Sequence, residues 1–538
     1  MSAFPESSTD APPVVAYREE DGHTVSFAPA TGDRLGSSKL HDRADLDRCM
    51  AAARLAQPSW AATPLVNRVA AIMRVRDWVV DNADELASTI AQDTGKSRVD
   101  ALATEVAPSA MAADYYGRSA GRFLADRHLR PSNLFMANKA SRIVRHPWGV
   151  VAVFTPWNYP FSLAFAEIVM ALLAGNAVIL KVAAETQMTA LALERCFNAA
   201  GLPPGVFHHL NLPVPQAGEW IFQAGIDKMF FTGSVRVGKL LMAQAAQTLT
   251  PVSLELGGND PMLVCPDADL DRAAAGAIWA GFQNAGQSCA GVERVYVHAA
   301  VYDAFLARLK TRVEALRVGA DTNHEVDIGS MSTDRQVQTV RRHLDDALER
   351  GARVHSQATV PAGLRGLFVA PTVLVDVDHQ MQVMRDETFG PLLGVMKVDS
   401  MDEAVRLAND SDLGLTASVW TANRRAGIEL ARRLQAGAVT INDHLVSGGL
   451  HETPWGGFKN SGIGRTHGAL GFDEMTQPQV IVDDKLSFLP GQLWWHPHGA
   501  GVYQAFLGLL QVLFGRSLGA RIGGVRRLLP VLPRLWRR

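Results

Sequence analysis

One cysteine of the chain stands in a setting suited to covalent chemistry. Cys289 follows residues 284–288, which read Asn, Ala, Gly, Gln and Ser. Small and polar neighbours let a substrate approach the backbone closely, and a thiolate can attack a carbonyl carbon. The other three cysteines, Cys49, Cys196 and Cys265, are interpreted as small buried hydrophobes. The context predicts that Cys289 is a nucleophile.

Two further residues could assist such a nucleophile. Glu255 precedes Cys289 by 34 residues and is followed by Leu256 and two glycines. A carboxylate with a pKa near neutrality can act as a general base, although a solvated loop glutamate is the simpler interpretation. Asn158 follows an apolar segment and stands between two prolines, so it is either a turn residue or an amide donor to an oxyanion.

A third segment has the features of a phosphate-binding turn. Phe231 to Gly238 would end a strand and open a helix, with Gly233 and Ser234 at the junction. Glycine lets a pyrophosphate approach the backbone, and a helix N-terminus offers free N–H groups. The spacing is GSxxxG rather than GxGxxG, so this segment alone is weak evidence for a dinucleotide.

Five motifs in a fixed order resemble the aldehyde dehydrogenase superfamily. The resemblance extends from about Ala30 to Asp484. The motifs are Thr155–Pro160, Glu255–Pro261, Phe282–Cys289, Glu387–Pro391 and Pro454–Gly462.

The resemblance implies NAD(P)-dependent oxidation of an aldehyde through a thiohemiacetal on Cys289. Asn158 and the Cys289 backbone N–H would bind the oxyanion, and Glu255 would activate the water that cleaves the thioester. Relatives that transfer the acyl group to coenzyme A usually lack this glutamate, so the free acid is the expected product. The implied cofactor residues are Trp157, Lys181, Ala184, Gly233, Ser234, Gly238, Leu256, Glu387 and Phe389.

The choice between NAD and NADP depends on the residue three places after Lys181. Relatives that prefer NAD often carry glutamate there, whereas this chain has Ala184, followed by Glu185. Without a carboxylate at that position a 2′-phosphate is less repelled, so acceptance of NADP is expected. A one-residue shift of the loop would restore Glu185 to the ribose.

The substrate is expected to be a medium-to-long apolar aldehyde, either aliphatic or aromatic. Succinic semialdehyde dehydrogenases resemble the chain and place arginines at two positions that are Ala166 and Gln283 here. A carboxylate would lose its bidentate partners unless a residue such as Arg294 substitutes. The segment between Asn158 and Gly175 is rich in apolar and aromatic residues and forms a core helix face or part of the substrate tunnel; these residues are Phe161, Leu163, Phe165, Met170 and Leu172. The alternatives are a succinic semialdehyde dehydrogenase and, in another class, a non-catalytic binding or scaffold protein.

Composition limits the location and the partners. The 538 residues have a formal net charge of −2, which gives no electrostatic reason to expect a nucleic acid partner. The first ten residues lack a basic and an apolar region, so no secretory signal is expected. Four scattered cysteines without CxxC or Cys/His spacing predict neither a disulfide framework nor a metal site, and fit the cytoplasm.

The elements that must position these residues alternate between apolar strands and helices. Strands are predicted at 149–155, 177–181 and 228–232, and helix from Asp45 to Gln92 with a break near Pro58 and Pro64. This order predicts an α/β fold with a parallel sheet covered on both faces.

The resemblance divides the chain further. It implies a Rossmann-like cofactor domain (1–127 and 148–256), an α/β catalytic domain (257–457) and a small oligomerisation element (128–147 and 473–484). Strand candidates at 141–145 and 479–483 fit an exposed hairpin and an edge strand. An unpaired edge predicts a homodimer or homotetramer.

The last 54 residues, 485–538, differ from the rest. They contain eight Lys or Arg and no Asp or Glu, and Phe506, Leu509, Leu510 and Leu513 have helical spacing. Their longest apolar run, 502–514, is too short to span a bilayer, which takes roughly 20 residues. A basic amphipathic helix in the membrane interface and an element packed on a neighbouring subunit are the two interpretations.

Overall fold

The computed structural model describes residues 14–536. The chain divides into two compact units, residues 1–124 with 146–477 and residues 125–145 with 478–538. The segments predicted as oligomerisation element and tail fall almost entirely in the second unit. The predicted boundary between cofactor and catalytic domains stays a prediction.

The helices of the described chain follow in order. They are α1 (Arg43–Ala62), α2 (Leu65–Asp81), α3 (Ala83–Thr94), α4 (Arg98–Ala101), α5 (Ala107–Phe123), α6 (Ser162–Ala174), α7 (Gln187–Ala199), α8 (Val214–Gln223), α9 (Val235–Ala245), α10 (Leu270–Phe282), α11 (Tyr302–Glu314), α12 (Asp334–Glu349), α13 (Gln382–Arg385), α14 (Met401–Asn409), α15 (Arg424–Ala431), α16 (Gly468–Glu474), α17 (Ala500–Phe514) and α18 (Leu518–Leu528).

The strands alternate with these helices through most of the first unit. They are β1 (Tyr17–Glu20), β2 (His23–Phe27), β3 (Arg34–Lys39), β4 (Arg127–Leu129), β5 (Lys139–Pro147), β6 (Val150–Thr155), β7 (Ala177–Val182), β8 (Phe207–His209), β9 (Lys228–Thr232), β10 (Val252–Glu255), β11 (Asp260–Val264), β12 (Val292–His298), β13 (Arg353–Gln357), β14 (Thr372–Val375), β15 (Leu392–Val398), β16 (Leu413–Gly414), β17 (Thr416–Trp420), β18 (Ala438–Ile441), β19 (Phe458–Lys459), β20 (Gly462–Ile463) and β21 (Thr476–Asp484).

The first large sheet has the order β20-β10-β9-β6-β7-β8 and is parallel except for β20. Successive residues of β6 enter different cores: Val151 and Val153 pack on one face, and Val150 and Ala152 pack on the other. Both faces are therefore covered by helices, as predicted from the apolar strands. The three predicted strands correspond to β6, β7 and β9.

The second large sheet has the order β13-β14-β15-β12-β11-β17-β18, and only β13 runs antiparallel. It builds the largest hydrophobic core, from 262 to 436. With the first sheet it forms the α/β fold of a Rossmann-like half and a second α/β half that the sequence predicted.

The predicted helix break lies at Thr63 and Pro64, whereas α1 continues through Pro58. Proline removes one backbone hydrogen bond from a helix interior. Neighbouring side chains anchor the last turns of α1: Gln57 Nε2 donates to the Gly175 carbonyl and Trp60 Nε1 to the Leu172 carbonyl, both at 3.0 Å. Tertiary contacts therefore override the local cost of Pro58.

The second unit combines a small sheet with two tail helices. The sheet has the order β21-β5-β4 and contains both predicted strand candidates. Helices α17 and α18 meet at Gly508 and Gly524, where a Cβ on either glycine would lie 2.5 Å from the other's carbonyl oxygen. Among residues 14–536, no helix has the length and apolar character needed to cross a bilayer.

Candidate active site

A cavity of about 910 Å³ opens at the carboxyl ends of the first sheet. Thr155, Lys181, Thr232 and Glu255 lie at or next to the last residue of β6, β7, β9 and β10, and all four line it. In open parallel sheets, ligands bind in the crevice outside these ends. The cavity also includes Cys289, Asn158, Trp157, Ala184, Gly233, Ser234, Leu256, Glu387 and Phe389.

A strained turn presents Cys289 to this cavity. Asn284, Ala285 and Gly286 all have positive φ, at 54°, 53° and 74°. A Cβ on Gly286 would lie 2.3 Å from the Gly390 backbone, so only glycine fits there. Three consecutive left-handed residues are costly and persist only where the surroundings impose them, which is common at functional sites.

Apolar side chains pack against Cys289. They belong to a cluster of Ala290, Leu415 and Trp455, against which Leu445 also packs. Burial raises the pKa of the thiol, and the carboxylates of Glu387, Asp260 and Glu255 raise it further. The resting group is therefore a protonated thiol, because both effects disfavour the thiolate.

Glu255 ends β10 and is buried, and its Oε2 has no hydrogen-bond partner among the described residues. Burial raises the pKa of its carboxyl well above the ordinary value, and the Glu167 carboxylate adds to the rise. The nearby Arg465 guanidinium opposes it. An unpaired carboxyl with a raised pKa is suited to proton transfer.

The side-chain amide of Asn158 is oriented by a backbone carbonyl. Its Nδ2 donates to the Gln287 carbonyl at 3.0 Å, which fixes which end of the amide faces the residues before Cys289. An amide nitrogen carries two hydrogens, so a second one stays available for a substrate oxygen. The structure thus brings Asn158, Glu255 and Cys289 to one cavity from three separate elements.

Glu387 and Phe389 form one wall of the cavity. Glu387 Oε1 accepts a 3.0 Å hydrogen bond from the Gly258 N–H, and burial raises the pKa of its carboxyl to about 7. Phe389 contacts Trp157 edge to face, with ring centroids 5.5 Å apart. The Glu293 carboxylate accepts from the Thr388 and Phe389 N–H groups, each at 2.8 Å, and holds this loop in place.

The other end of the cavity lies at the N-terminus of α9. Ser234 caps this helix through its Oγ, and Gly233 precedes it. Lys181 is buried, which lowers the pKa of its ammonium, while the charge of Glu185 opposes that shift. Free N–H groups and a cation in this position suit a phosphate or ribose.

One predicted cofactor residue has a different place. Gly238 does not line the cavity; a Cβ there would lie 2.7 Å from Leu256 Cδ2, so this glycine lets α9 approach Leu256, which does line it. Glu185, the alternative to Ala184 at the ribose, lines the cavity as well. Arg18 and Glu19 on β1, Arg236 and Thr333–Gln336 also line it and were not predicted as cofactor residues. Arg236, two residues after Ser234, could have been inferred from the helix-start pattern. Nothing in the sequence places β1 or the start of α12 there.

A dinucleotide fits these surroundings. The cavity joins a helix N-terminus suited to a pyrophosphate with an aromatic and carboxylate pocket beside the thiol. A Cβ on Gly257 would lie 2.1 Å from the Glu387 carboxylate, so glycine is required for that wall to close. The residues present therefore match NAD or NADP.

Comparisons with known proteins agree with this geometry. A model of the aldehyde dehydrogenase family matches residues 17–481. The chain is 40% identical to a 4,4′-diapolycopene aldehyde oxidase of Methylomonas sp. over 493 residues, 92% of each chain. It superposes on a succinate-semialdehyde dehydrogenase from Burkholderia pseudomallei (36% identity, TM-score 0.82, 86% of this chain and 95% of that one).

A third similarity is to an NADP-dependent enzyme of E. coli, with 32% identity, a TM-score of 0.82 and coverage of 86% of this chain and 95% of the other. Solved relatives thus include NADP-dependent and NAD+-bound proteins. The family match over nearly the whole chain and the cavity geometry lead to one conclusion: the chain belongs to the aldehyde dehydrogenase family, oxidoreductases that oxidise aldehydes with NAD or NADP.

Proposed function

We propose that this protein oxidises a long, apolar aldehyde to its carboxylic acid, with Cys289 as nucleophile and Glu255 as general base. The observation that carries the proposal is the convergence of Cys289, Glu255 and Asn158 on one cavity. That convergence also argues against a non-catalytic scaffold, which would have no reason to keep an unpaired buried carboxyl beside a thiol.

The first half of the reaction forms and oxidises an adduct. The Cys289 thiol releases its proton to solvent water and Sγ bonds to the aldehyde carbon, while the π electrons of the carbonyl move to its oxygen. Asn158 Nδ2 and the Cys289 N–H donate to the oxygen that becomes negative, and such donors are each worth about 10²–10³ in rate. NAD or NADP, when bound, would supply the hydride acceptor for this step, and Glu387, Phe389 and Trp157 are the residues that would hold its nicotinamide end.

The second half releases the product. A thioester remains on Cys289, and Glu255 takes a proton from the attacking water. The same donors bind the second oxyanion, and its collapse breaks the C–S bond. The acid leaves and the thiol is restored.

The apolar substrate is favoured by what surrounds the thiol. Cys289 packs against a cluster that contains Leu415 and Trp455, and neither side chain offers a charge to a substrate carboxylate. Ala166 and Gln283 are buried and uncharged, and the Gln283 amide oxygen accepts from the Tyr159 hydroxyl. A hydrocarbon chain can be buried in such surroundings without a desolvation penalty, whereas burial of an unpaired carboxylate costs free energy.

Arg294, which could have replaced the missing arginines, is committed elsewhere. It lies on β12 with 1% exposure, and its guanidinium donates to the carbonyls of Asn259 and Ala408 at distances between 2.7 and 3.1 Å. This arrangement weakens the succinic semialdehyde alternative, because the Arg294 guanidinium is bound to backbone carbonyls and not directed at a substrate.

The relative from Methylomonas supports the same substrate class. Its name refers to an aldehyde of diapolycopene, which is a long apolar polyene. The match to it covers 493 residues, more than the 484 that precede the tail, so it extends into the tail. The Burkholderia enzyme covers 86% of the chain.

The proposal includes peripheral contact of the tail with a membrane from the cytoplasmic compartment. Tyr503, Phe506, Leu510 and Phe514 form an exposed stripe on α17. A second exposed stripe consists of Leu518, Ile522 and Val525 on α18 and of Leu529 directly after it. Exposed apolar stripes beside a run of arginines suit an interface that also dissolves an apolar substrate.

A panel of aldehydes tests the proposed substrate. Purified protein is assayed for NADH and NADPH formation with succinic semialdehyde, short and long linear aldehydes, benzaldehyde and a polyene aldehyde in detergent. We expect kcat/KM to increase with apolar chain length, by about 10-fold for each two or so methylenes buried. Highest kcat/KM on succinic semialdehyde would overturn the apolar assignment, and an inactive protein would favour the scaffold.

A further inference from the structure

An ion pair outside the cavity, Lys96 with Glu105, is fully buried. The side chains of both residues are 0% exposed, and Lys96 Nζ lies 2.6 Å from Glu105 Oε1. Lys96 Nζ also donates to the Asn158 carbonyl at 2.7 Å and lies 4.3 Å from the centroid of the Tyr159 ring. The Lys96 ammonium therefore has three contacts, one for each hydrogen, and two of them are to the segment that carries Asn158.

Glu105 secures the other end of this segment. Its Oε2 accepts from the Phe161 N–H at 2.8 Å and from the Ser162 N–H at 3.3 Å. Helix α6 begins there without a capping side chain of its own. Glu105 thus caps α6 from a different element, and satisfies N–H groups that a helix start leaves unpaired.

Glu105 reaches this position through an unusual backbone. Residues 102–106 form a single π-helical turn between α4 and α5. An extra residue in one turn rotates the side chains that follow, and such turns are frequent at functional sites. The π turn brings a carboxylate inward where an uninterrupted helix would place it differently.

The Asn158 peptide is held from the opposite side as well. Asn284 Nδ2 donates to the Asn158 carbonyl at 3.0 Å, and to the Gln287 carbonyl that orients the Asn158 side chain. Gln287 is fixed in turn, because its Oε1 accepts from the Ser332 N–H at 2.9 Å. Lys96 is the only charged side chain within this described set of contacts to the Asn158 carbonyl.

A buried ion pair usually adds little to the free energy of folding, because apolar side chains of similar volume often stabilise a protein equally well. Stability alone therefore does not explain why Lys96 and Glu105 are buried here. What apolar side chains cannot do is bind one carbonyl and two N–H groups of the same five-residue segment. We propose that Lys96 and Glu105 are positioning residues that set the place of the Asn158 amide, and thereby the strength of oxyanion binding. This inference rests on the proposed role of Asn158.

Lys96→Met tests the inference, because it removes the charge and keeps much of the volume. We expect the pre-steady-state rate of reduced nicotinamide formation to fall 10- to 10³-fold, as on loss of one oxyanion donor. Alkylation of Cys289 by iodoacetamide and the Kd of the cofactor should change less than threefold. If Lys96→Met fails to fold, the same rates are measured on Glu105→Gln, an isosteric change that should slow the first turnover in the same way.

Arg68→Met is the matched control. Arg68 is also a buried cation, but its guanidinium donates to the carbonyls of residues 60, 61, 63 and 173. Both variants should lower Tm, whereas only Lys96→Met should slow the first turnover per folded molecule. Equal slowing in both would overturn the inference.

Asn158→Ala separates this inference from the proposed function. If Asn158 binds the oxyanion and Lys96 acts through it, the double variant Lys96→Met/Asn158→Ala should be no slower than Asn158→Ala alone. If the double variant is slower than the wild type by the product of the two single-variant factors, Lys96 does not act through Asn158 and the positioning role is overturned. Unchanged activity of Asn158→Ala would instead reject the proposed oxyanion role, whatever Lys96→Met does.

Discussion

At the scale of single residues, burial and three carboxylates keep Cys289 a protonated thiol, while burial also keeps Glu255 short of full ionisation. The pair therefore depends on proton loss during the reaction. This explains why the thiol is inert enough to persist and why activity should respond to pH. The nearby carboxylates repel the negative charge of a thiolate. This repulsion falls once that charge has passed from the sulfur to a substrate oxygen that faces Asn158.

Replacing the nucleophile should abolish oxidation. Cys289→Ala removes the atom that bonds to the aldehyde, so steady-state turnover should fall below detection while cofactor binding and Tm are retained. Spectrophotometric assay, cofactor titration and thermal melting check this. Cys265→Ala, at a buried core thiol, is the control and should stay active. Turnover in Cys289→Ala would remove Cys289 from the mechanism.

Replacing the base should separate the two halves of the reaction. Glu255→Gln should form about one equivalent of reduced cofactor and then release acid 10²- to 10⁴-fold more slowly. A base works when ionised, so wild-type turnover should fall as pH drops through the raised pKa of Glu255, above the ordinary glutamate range. That limb should vanish in the variant. Stopped-flow absorbance measures it, and undiminished steady-state turnover would contradict the assignment.

Cofactor choice depends on Ala184 and Glu185, which both line the cavity near Lys181. With no carboxylate at 184, NADP should be accepted, and Ala184→Glu should shift the kcat/KM ratio at least 10-fold toward NAD. Glu185→Gln is the paired variant. If the wild type ignores NADP and Glu185→Gln admits it, then Glu185 occupies the ribose site and the prediction for Ala184 is wrong.

At the scale of elements, the tail helices bury their small residues and leave large ones outside. Val502, Ala505 and Gly508 are the buried residues of α17, and Gly524 is that of α18. The stripe predicted from Phe506, Leu509, Leu510 and Leu513 is only half-buried to exposed. Close glycine contact explains this, because two backbones that meet at Gly508 and Gly524 leave no room between them for larger side chains.

The exposed stripes predict binding to anionic vesicles. Full-length protein should co-sediment with vesicles that contain phosphatidylserine, and less so at high salt, since each basic residue near the surface adds about 1 kcal/mol. A chain ending at Asp484 and the variant Leu510→Glu/Leu518→Glu should stay in the supernatant. Ala426→Glu, on the first unit, is a control for added charge. Full-length protein that stays in solution while the truncated chain loses its oligomeric state would make the tail an assembly element.

At the scale of the whole molecule, the surface carries an exposed strand at a sheet edge. Val480, Ile481 and Val482 on β21 are all exposed, and β21 is an outer strand of its sheet. An exposed outer strand favours pairing with another chain. A homodimer or homotetramer built on this edge is therefore expected, and it would cover the apolar run.

Disrupting this edge should change the oligomeric state. Ile481→Lys should lower the mass measured by light scattering to that of a smaller assembly and leave the Cys289 site able to react with iodoacetamide. Val354→Lys is the control, because Val354 is also exposed on an edge strand, β13. An unchanged mass for Ile481→Lys would place the interface elsewhere.

The sequence by itself determined the parts of this protein that depend on local pattern. Apolar strands could be predicted at 149–155, 177–181 and 228–232, together with the order of the motifs and a helix start near Ser234. Strand burial and helix capping depend on neighbouring residues, which is why these features were predictable. The chemistry of Cys289, with Glu255 and Asn158, was predicted from the same motifs. Tertiary structure decided what depends on residues far apart. In the folded chain, Arg294 is buried in the core, Gly238 packs against Leu256 and does not line the cavity, and α1 continues through Pro58. Arg18 lines the cavity, and the Lys96–Glu105 pair contacts the segment that carries Asn158. Contacts between distant segments leave no periodic trace along a chain, so only the folded arrangement reveals them.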